Sequence, residues 1–291
     1  MKKNFGVIIQ GPITSYGSGG KNDNPEGFNS IKTLKENIKI ITKFIPDENI
    51  LFSGWDTDIE IDQLGIAQCR SNDPFRFDFL NQKRQFYTIK EGFNKLSKNK
   101  NIEYFIKIRT DQQFLPNFWE WIIENHKELE KKILVSEFYN NSPYVVGDFI
   151  ICSSKKNFTN FINSQSLKRK SINGSRNMVL KYLSYTSNIM MNEFSSNFLI
   201  NDILLFAKFD NIFEKWSINF RTEFFSIPLI IFKDITWRGE TMDERFDNIN
   251  QIFSFNQISN EKHSFKSFWR EYSRFFNSFK NYLKKSIKNI L

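Results

Sequence analysis

YFIKIRTDQQF, residues 104–114, runs from apolar and β-branched residues straight into Arg109-Thr110-Asp111 and then the polar pair Gln112-Gln113. The first part reads as a buried strand. It stops on a carboxylate beside a guanidinium, with no Gly or Asn to turn the chain, so charge is placed where a core has no use for it. Upstream, Asn81–Leu96 has the spacing of an amphipathic helix, Gly65–Arg70 and Asn49–Trp55 read as strands, and Ser30–Phe44 as another helix. Phe5–Ile9 is a compact apolar run closed by Gly11-Pro12, and the Gly-, Ser- and Asn-rich segment Thr14–Gly27 reads as a flexible loop. Strands alternating with helices predict an α/β fold, a mostly parallel sheet flanked by helices. Ligands of such sheets sit beyond the strands' carboxyl ends. Gly11, Asp56 and Asp111 all fall there.

Downstream, Ile133–Val135 and Asp148–Cys152 read as short strands and Lys155–Gln165 as a helix. Leu167–Arg176, basic and Ser-rich, reads as a mobile loop, and Met178–Asn211 as largely helical. Arg221–Phe232 and Asp234–Glu240 close a main domain spanning 1–254. The remainder, 255–291, differs. From Phe265 to Leu291 aromatic and aliphatic residues recur at three- and four-residue steps among Lys and Arg, which predicts a basic amphipathic helix. Such a helix suits either the protein's own core or an anionic membrane surface.

The 291 residues suffice for one large domain, and 40% hydrophobic with 25% charged content is ordinary for a globular chain. The 33 Phe residues fit a coding bias better than a function. A net charge of +9 points to an anionic partner. Cys69 and Cys152 stand apart, each in an apolar stretch, and with only His126 and His263 they exclude a zinc site of the usual spacing. Both thiols read as buried small hydrophobes. The start MKKNFGVIIQGP reads as a strand and not as an export signal, and no apolar run reaches the length of about 20 residues that spans a bilayer. The expected location is cytoplasmic, peripheral on the inner face of the membrane.

Two acidic places compete for a metal. Asp56-Thr57-Asp58 spells D-x-D, whose carboxylates suit a divalent ion on a diphosphate, while the strand at 104–109 offers only Asp111. Read in order, VIIQGPI (7–13), NILFSGW (49–55), NDPFRFDFLNQKRQFYTIKEGF (72–93), YFIKIRTDQQF (104–114) and VGDFII (146–151) resemble the bacterial WavE-type lipopolysaccharide-synthesis family. That resemblance implies a GT-A-like (Rossmann-like) glycosyltransferase core. It covers about the first half of the chain. Gln10, Gly11, Pro12 and Ile13 match the family's first-strand loop. Asn81, Arg84 and Gln85 match its helix start, and Lys107, Arg109, Thr110 and Asp111 match its K-x-R-[ST]-D element. This last element occupies the place of the GT-A acidic loop, which usually holds two or three acids where this chain has one.

The resemblance implies that Gln10, Gly11, Pro12, Asp56 and Asn81 line a nucleotide-sugar donor, that Arg84 and Arg109 meet its diphosphate, and that Asp111 holds Mg²⁺ or Mn²⁺. Arg238, in TWRGETMDERFD (236–247), is a further diphosphate candidate. An inverting transferase also needs a general base. Asp148 and Asp202 are the candidates, with Glu193 a distant third. The acceptor would be an oligosaccharide or lipid-linked glycan of lipopolysaccharide, lipooligosaccharide or capsule. Two other classes remain: a nucleic-acid-processing enzyme using Asp56, Asp58 and Asp111 as two-metal ligands, and a non-catalytic sugar- or lipid-binding module. Positive charge concentrated at the C-terminal end, away from the acids, makes nucleic acid the less expected partner.

Overall fold

Among the described residues, five of the six other strands in the sheet of β1 (Phe5–Gln10) share its direction, and this follows from a run buried at all six positions. A strand covered on both faces needs helices on both sides and a crossover back to the same edge. The fold comes from a computed structural model, which describes residues 4–15, 27–75, 82–137, 146–168, 171, 174–186, 222–245 and 273. In chain order β1 is followed by β2 (Thr14–Ser15), β3 (Phe28–Asn29), α1 (Ile31–Ile41), β4 (Ile50–Trp55), β5 (Ala67–Ser71), α2 (Gln82–Leu96), β6 (Tyr104–Arg109) and β7 (Gln112–Gln113). Then come α3 (Pro116–Glu124), α4 (His126–Leu129), β8 (Ile133–Val135), β9 (Ile151–Ser154), α5 (Lys155–Ser164), α6 (Gly174–Thr186), β10 (Phe224–Ser226), α7 (Leu229–Lys233), β11 (Thr236–Trp237), β12 (Glu240–Thr241) and α8 (Met242–Arg245).

Among the described residues the main sheet has seven strands in the order β10-β8-β9-β6-β1-β4-β5. β9 is antiparallel to both its neighbours, β6 and β8, and the other pairs are parallel. The expected α/β class with a mostly parallel sheet is therefore the observed one. Side chains alternate across it. Val7, Ile9, Ile106 and Ile108 face α1 and α3 through Leu34, Ile41, Phe118 and Trp119. Ile8, Leu51 and Phe105 face α2, α5 and α6 through Ile89, Phe93, Phe158 and Val179. Gly92 lets α2 lie close on the sheet, since a Cβ there would stand 2.9 Å from Ile8 and Ser53. Ser53 then donates from Oγ to the Thr88 carbonyl at 2.6 Å.

Several expectations change. β9 starts at Ile151, leaving Asp148 ahead of it. Arg176 is buried in α6, which begins at Gly174, so the stretch read as a mobile loop through Arg176 ends as packed helix. α3 was not foreseen; Pro116 at its first turn and the Phe118, Trp119, Ile122 face account for it. Within the segment read as a loop, Thr14–Ser15 pairs with Phe28–Asn29. Cys152 is buried, whereas Cys69, on the edge strand β5, is only half-buried. The C-terminal helix, its boundary at 254/255, Asn81, Glu193 and Asp202 lie outside the described residues. Among the described residues no helix is long and apolar enough to cross a membrane.

Candidate functional site

The chain runs from β1 outward to β4 and β5, then returns through α2 to place β6 on the other side of β1. The strand order reverses between β1 and β6, and the loops leaving their carboxyl ends diverge there, which is where open α/β sheets bind ligands. Gln10 is level with Arg109 across that pair. The two loops are also tied: Thr110 donates from its backbone N–H to the Gln10 carbonyl (3.1 Å) and from Oγ1 to the Pro12 carbonyl (2.7 Å). Gly11 turns between them at φ +130°, and a Cβ there would stand 2.9 Å from Thr110 Oγ1. Gln10 is buried, and Pro12 is exposed.

Asp111 is the hub of the rim. It is 1% exposed. Arg109 donates to it from Nε (to Oδ1, 2.9 Å) and from Nη2 (to Oδ2, 2.9 Å). Trp237 Nε1 and Arg238 Nε both donate to Oδ2, at 3.0 and 3.1 Å. These come from the β11–β12 hairpin, which pairs with β7 so that Trp237 lies opposite Gln112. The Arg238 backbone N–H also bonds the Asp111 carbonyl at 2.8 Å. Burial pushes the Asp111 carboxyl up, but the Arg109 guanidinium and the bonds from Arg109, Trp237 and Arg238 outweigh it and hold it below the usual carboxylate range. Asn37 of α1 fixes the following segment, donating to the Gln112 carbonyl (2.7 Å) and accepting from the Phe114 N–H (3.0 Å).

The guanidinium planes are held by rings. Arg109 lies 5.7 Å from the Phe149 centroid and 5.8 Å from that of Trp237, Arg238 lies 5.3 Å from Trp237, and the two rings are 4.7 Å apart. On the α2 side of β6, Lys107 follows Phe105 by two residues and is wholly buried, donating from Nζ to the Asp148 backbone carbonyl at 2.6 Å. Because β9 runs against its neighbours, its entrance lies at the same rim as the exit of β6, and this brings Asp148 to Lys107. Asp148 is half-buried, and Gln85 of α2 donates to its Oδ2 at 2.9 Å. Burial raises the Asp148 carboxyl, yet Lys107, Arg109 and Gln85 lower it below the usual value.

Four of the expected site residues, Arg109, Asp111, Asp148 and Arg238, thus form one rim group, with Gln10, Gly11 and Pro12 joined to it through Thr110. Others stand elsewhere. Asp56 is exposed beyond β4, with its backbone N–H on the Ser71 carbonyl at 3.2 Å. Asp58 accepts from the Ile13 and Trp55 N–H groups and braces the β1 and β4 loops; burial raises its carboxyl. Arg84 donates to Asp73 Oδ2 (2.5 Å) and to the Phe75 carbonyl (2.6 Å), strapping the segment after β5 to α2. From the sequence, Gln85 and Lys107 are motif matches only, Trp237 belongs to the Trp237-Arg238-Gly239 stretch read as closing over a diphosphate, and Phe149 has no role. A lysine within the apolar run YFIKI was the readable signal for one of them.

A metal on Asp111 does not fit these residues. Both carboxylate oxygens take N–H donors, and two guanidiniums stand where an ion's waters would lie. Among the described residues no group of three or more His, Cys, Asp or Glu is gathered to hold an ion. The arrangement suits an anion, since fixed guanidiniums bind phosphate oxygens and stabilise negative charge that develops on a leaving group.

Neither a family model nor a curated protein matches the chain. Among solved structures it is similar to a cytidylyltransferase from Leptospira borgpetersenii, at 14% identity over 64% of this chain and 73% of that one, TM-score 0.38. It is similar to a 4-diphosphocytidyl-2C-methyl-D-erythritolsynthase from Anaerococcus prevotii, at 15% identity over 64% and 84%, TM-score 0.37. A mannose-1-phosphate geranyltransferase from Thermus thermophilus gives 10% identity over 66% and 65%, TM-score 0.38. At these scores the likeness carries no argument, and the fold stands on the strand pairings themselves.

Proposed function

We propose that the chain is a nucleotide-sugar-dependent glycosyltransferase acting on a lipopolysaccharide, lipooligosaccharide or capsule glycan at the cytoplasmic face of the inner membrane. The observation that carries this reading is the pair Arg109 and Arg238, set on one buried carboxylate where the strand order reverses. The negative charge that a donor diphosphate gains as it leaves would be stabilised by these two guanidiniums. Support for a sugar transfer, as against other uses of a phosphate, is the resemblance of VIIQGPI, YFIKIRTDQQF and VGDFII to the WavE-type family. The Gln10-Gly11-Pro12 loop would line the nucleotide. Asp148 would take the proton of the acceptor hydroxyl. Its Oδ2 is held by Gln85, and its ionised state is secured by Lys107.

Against the two-metal reading, Asp56 is exposed and Asp58 and Asp111 are occupied by donors. The tail 265–291 would bring the enzyme to anionic lipid, where each basic residue near the surface adds about 1 kcal/mol.

The test is a thermal-shift screen of nucleotide-sugars, followed by turnover of the hit with a lipopolysaccharide acceptor. One nucleotide-sugar should raise the melting temperature and be consumed. A screen in which none shifts and none is consumed overturns the reading.

A further inference from the structure

We propose that the rim built on Asp111 is a metal-free diphosphate clamp, in which Arg109 and Arg238 supply the positive charge and Asp111 holds them in place without ligating an ion. This deepens the proposed function and rests on it. Coordination at Asp111 disfavours an ion. A hard divalent cation needs several oxygen ligands and usually keeps water, but Asp111 is 1% exposed and accepts four side-chain N–H bonds from three residues. Charge disfavours one as well. An ion at this carboxylate would meet Arg109 and Arg238 at short range in a poorly screened place.

The clamp still has donors to offer a ligand. Arg109 spends Nε and Nη2 on Asp111, and among the described residues no bond engages Nη1. Its side chain is 25% exposed and that of Arg238 is 16% exposed, so both are reachable from solvent. Phe149 and Trp237 fix the planes, and the Arg238 backbone is tied to the Asp111 carbonyl. Both guanidiniums face the one carboxylate of Asp111, so a diphosphate complements the pair and a divalent cation opposes it. Guanidiniums held in advance suit this task because little ordering is left for the binding step.

Isothermal titration of the full chain with uridine, guanosine, cytidine and thymidine diphosphates, once with Mn²⁺ and once with EDTA, tests the clamp. One nucleotide should bind with affinities that agree within about threefold in the two buffers. Arg109→Met and Arg238→Met, each checked for native circular dichroism, should weaken that binding about ten- to a hundredfold. Binding only with Mn²⁺ overturns the clamp and leaves the nucleotide-sugar reading standing. Unchanged affinity in both folded arginine variants also overturns the clamp. If no nucleotide binds in either buffer, the nucleotide-sugar reading falls and the clamp with it.

Discussion

Lys107 carries opposite consequences for stability and for binding. Burial pushes its ammonium down to about 8, Asp148 pulls it back up and Arg109 lowers it further. The folded chain therefore sheds this proton before the unfolded chain does. Between about pH 8 and pH 10.4 the unfolded state holds more protons, so stability from this group rises with pH across that window. Urea unfolding of wild type and Lys107→Met should show the wild type gaining on the variant from pH 8 to 10, by about 2 kcal/mol. Nucleotide affinity should move the other way and fall above pH 8, as the rim loses a charge. Asp111→Asn leaves two guanidiniums without their anion, so urea unfolding should show a loss of about 3 kcal/mol, a cost that a mere ion ligand would not carry. Asp148→Ala should lower kcat about 10²–10⁴-fold with nucleotide affinity little changed; a kcat within a few-fold of wild type would remove Asp148 from the base role.

At the scale of elements, the site depends on how loops are braced. Gly11 sits at φ +130° against Thr110 Oγ1, so Gly11→Ala should cost about 1–3 kcal/mol in urea unfolding and loosen the β1–β6 loops. The main elements of this region were legible in the sequence because each is a long periodic run: Phe5–Gln10, Ile50–Trp55, Gln82–Leu96 and Tyr104–Arg109 lie close to their expected bounds. Arg109 and Asp111 were legible as candidate site residues because strand ends in parallel sheets collect ligands. The purpose of Asp111 was not. Its partners Trp237 and Arg238 stand 126 and 127 residues away, joined to it by a two-residue strand pairing that no local period announces. Asp58 was misleading for a similar reason, since the D-x-D spelling says nothing of the Ile13 and Trp55 N–H groups it accepts.

For the molecule as a whole, one antiparallel strand shapes the rim. β9 enters the sheet at the rim where the parallel strands leave it, so Asp148 joins Lys107 and Arg109 although it precedes a strand and they lie on or end one. The account rests on that rim acting on a nucleotide-sugar. The most direct measurement is release of free nucleoside diphosphate from a panel of nucleotide-sugars incubated with the full chain and lipopolysaccharide acceptor, read for wild type and Arg109→Met. The account predicts that one nucleotide-sugar is consumed by the wild type, in EDTA as in Mn²⁺, and that Arg109→Met consumes it at least about tenfold more slowly. Folded wild-type protein that consumes none of them, or a folded Arg109→Met variant that matches it, would contradict the account.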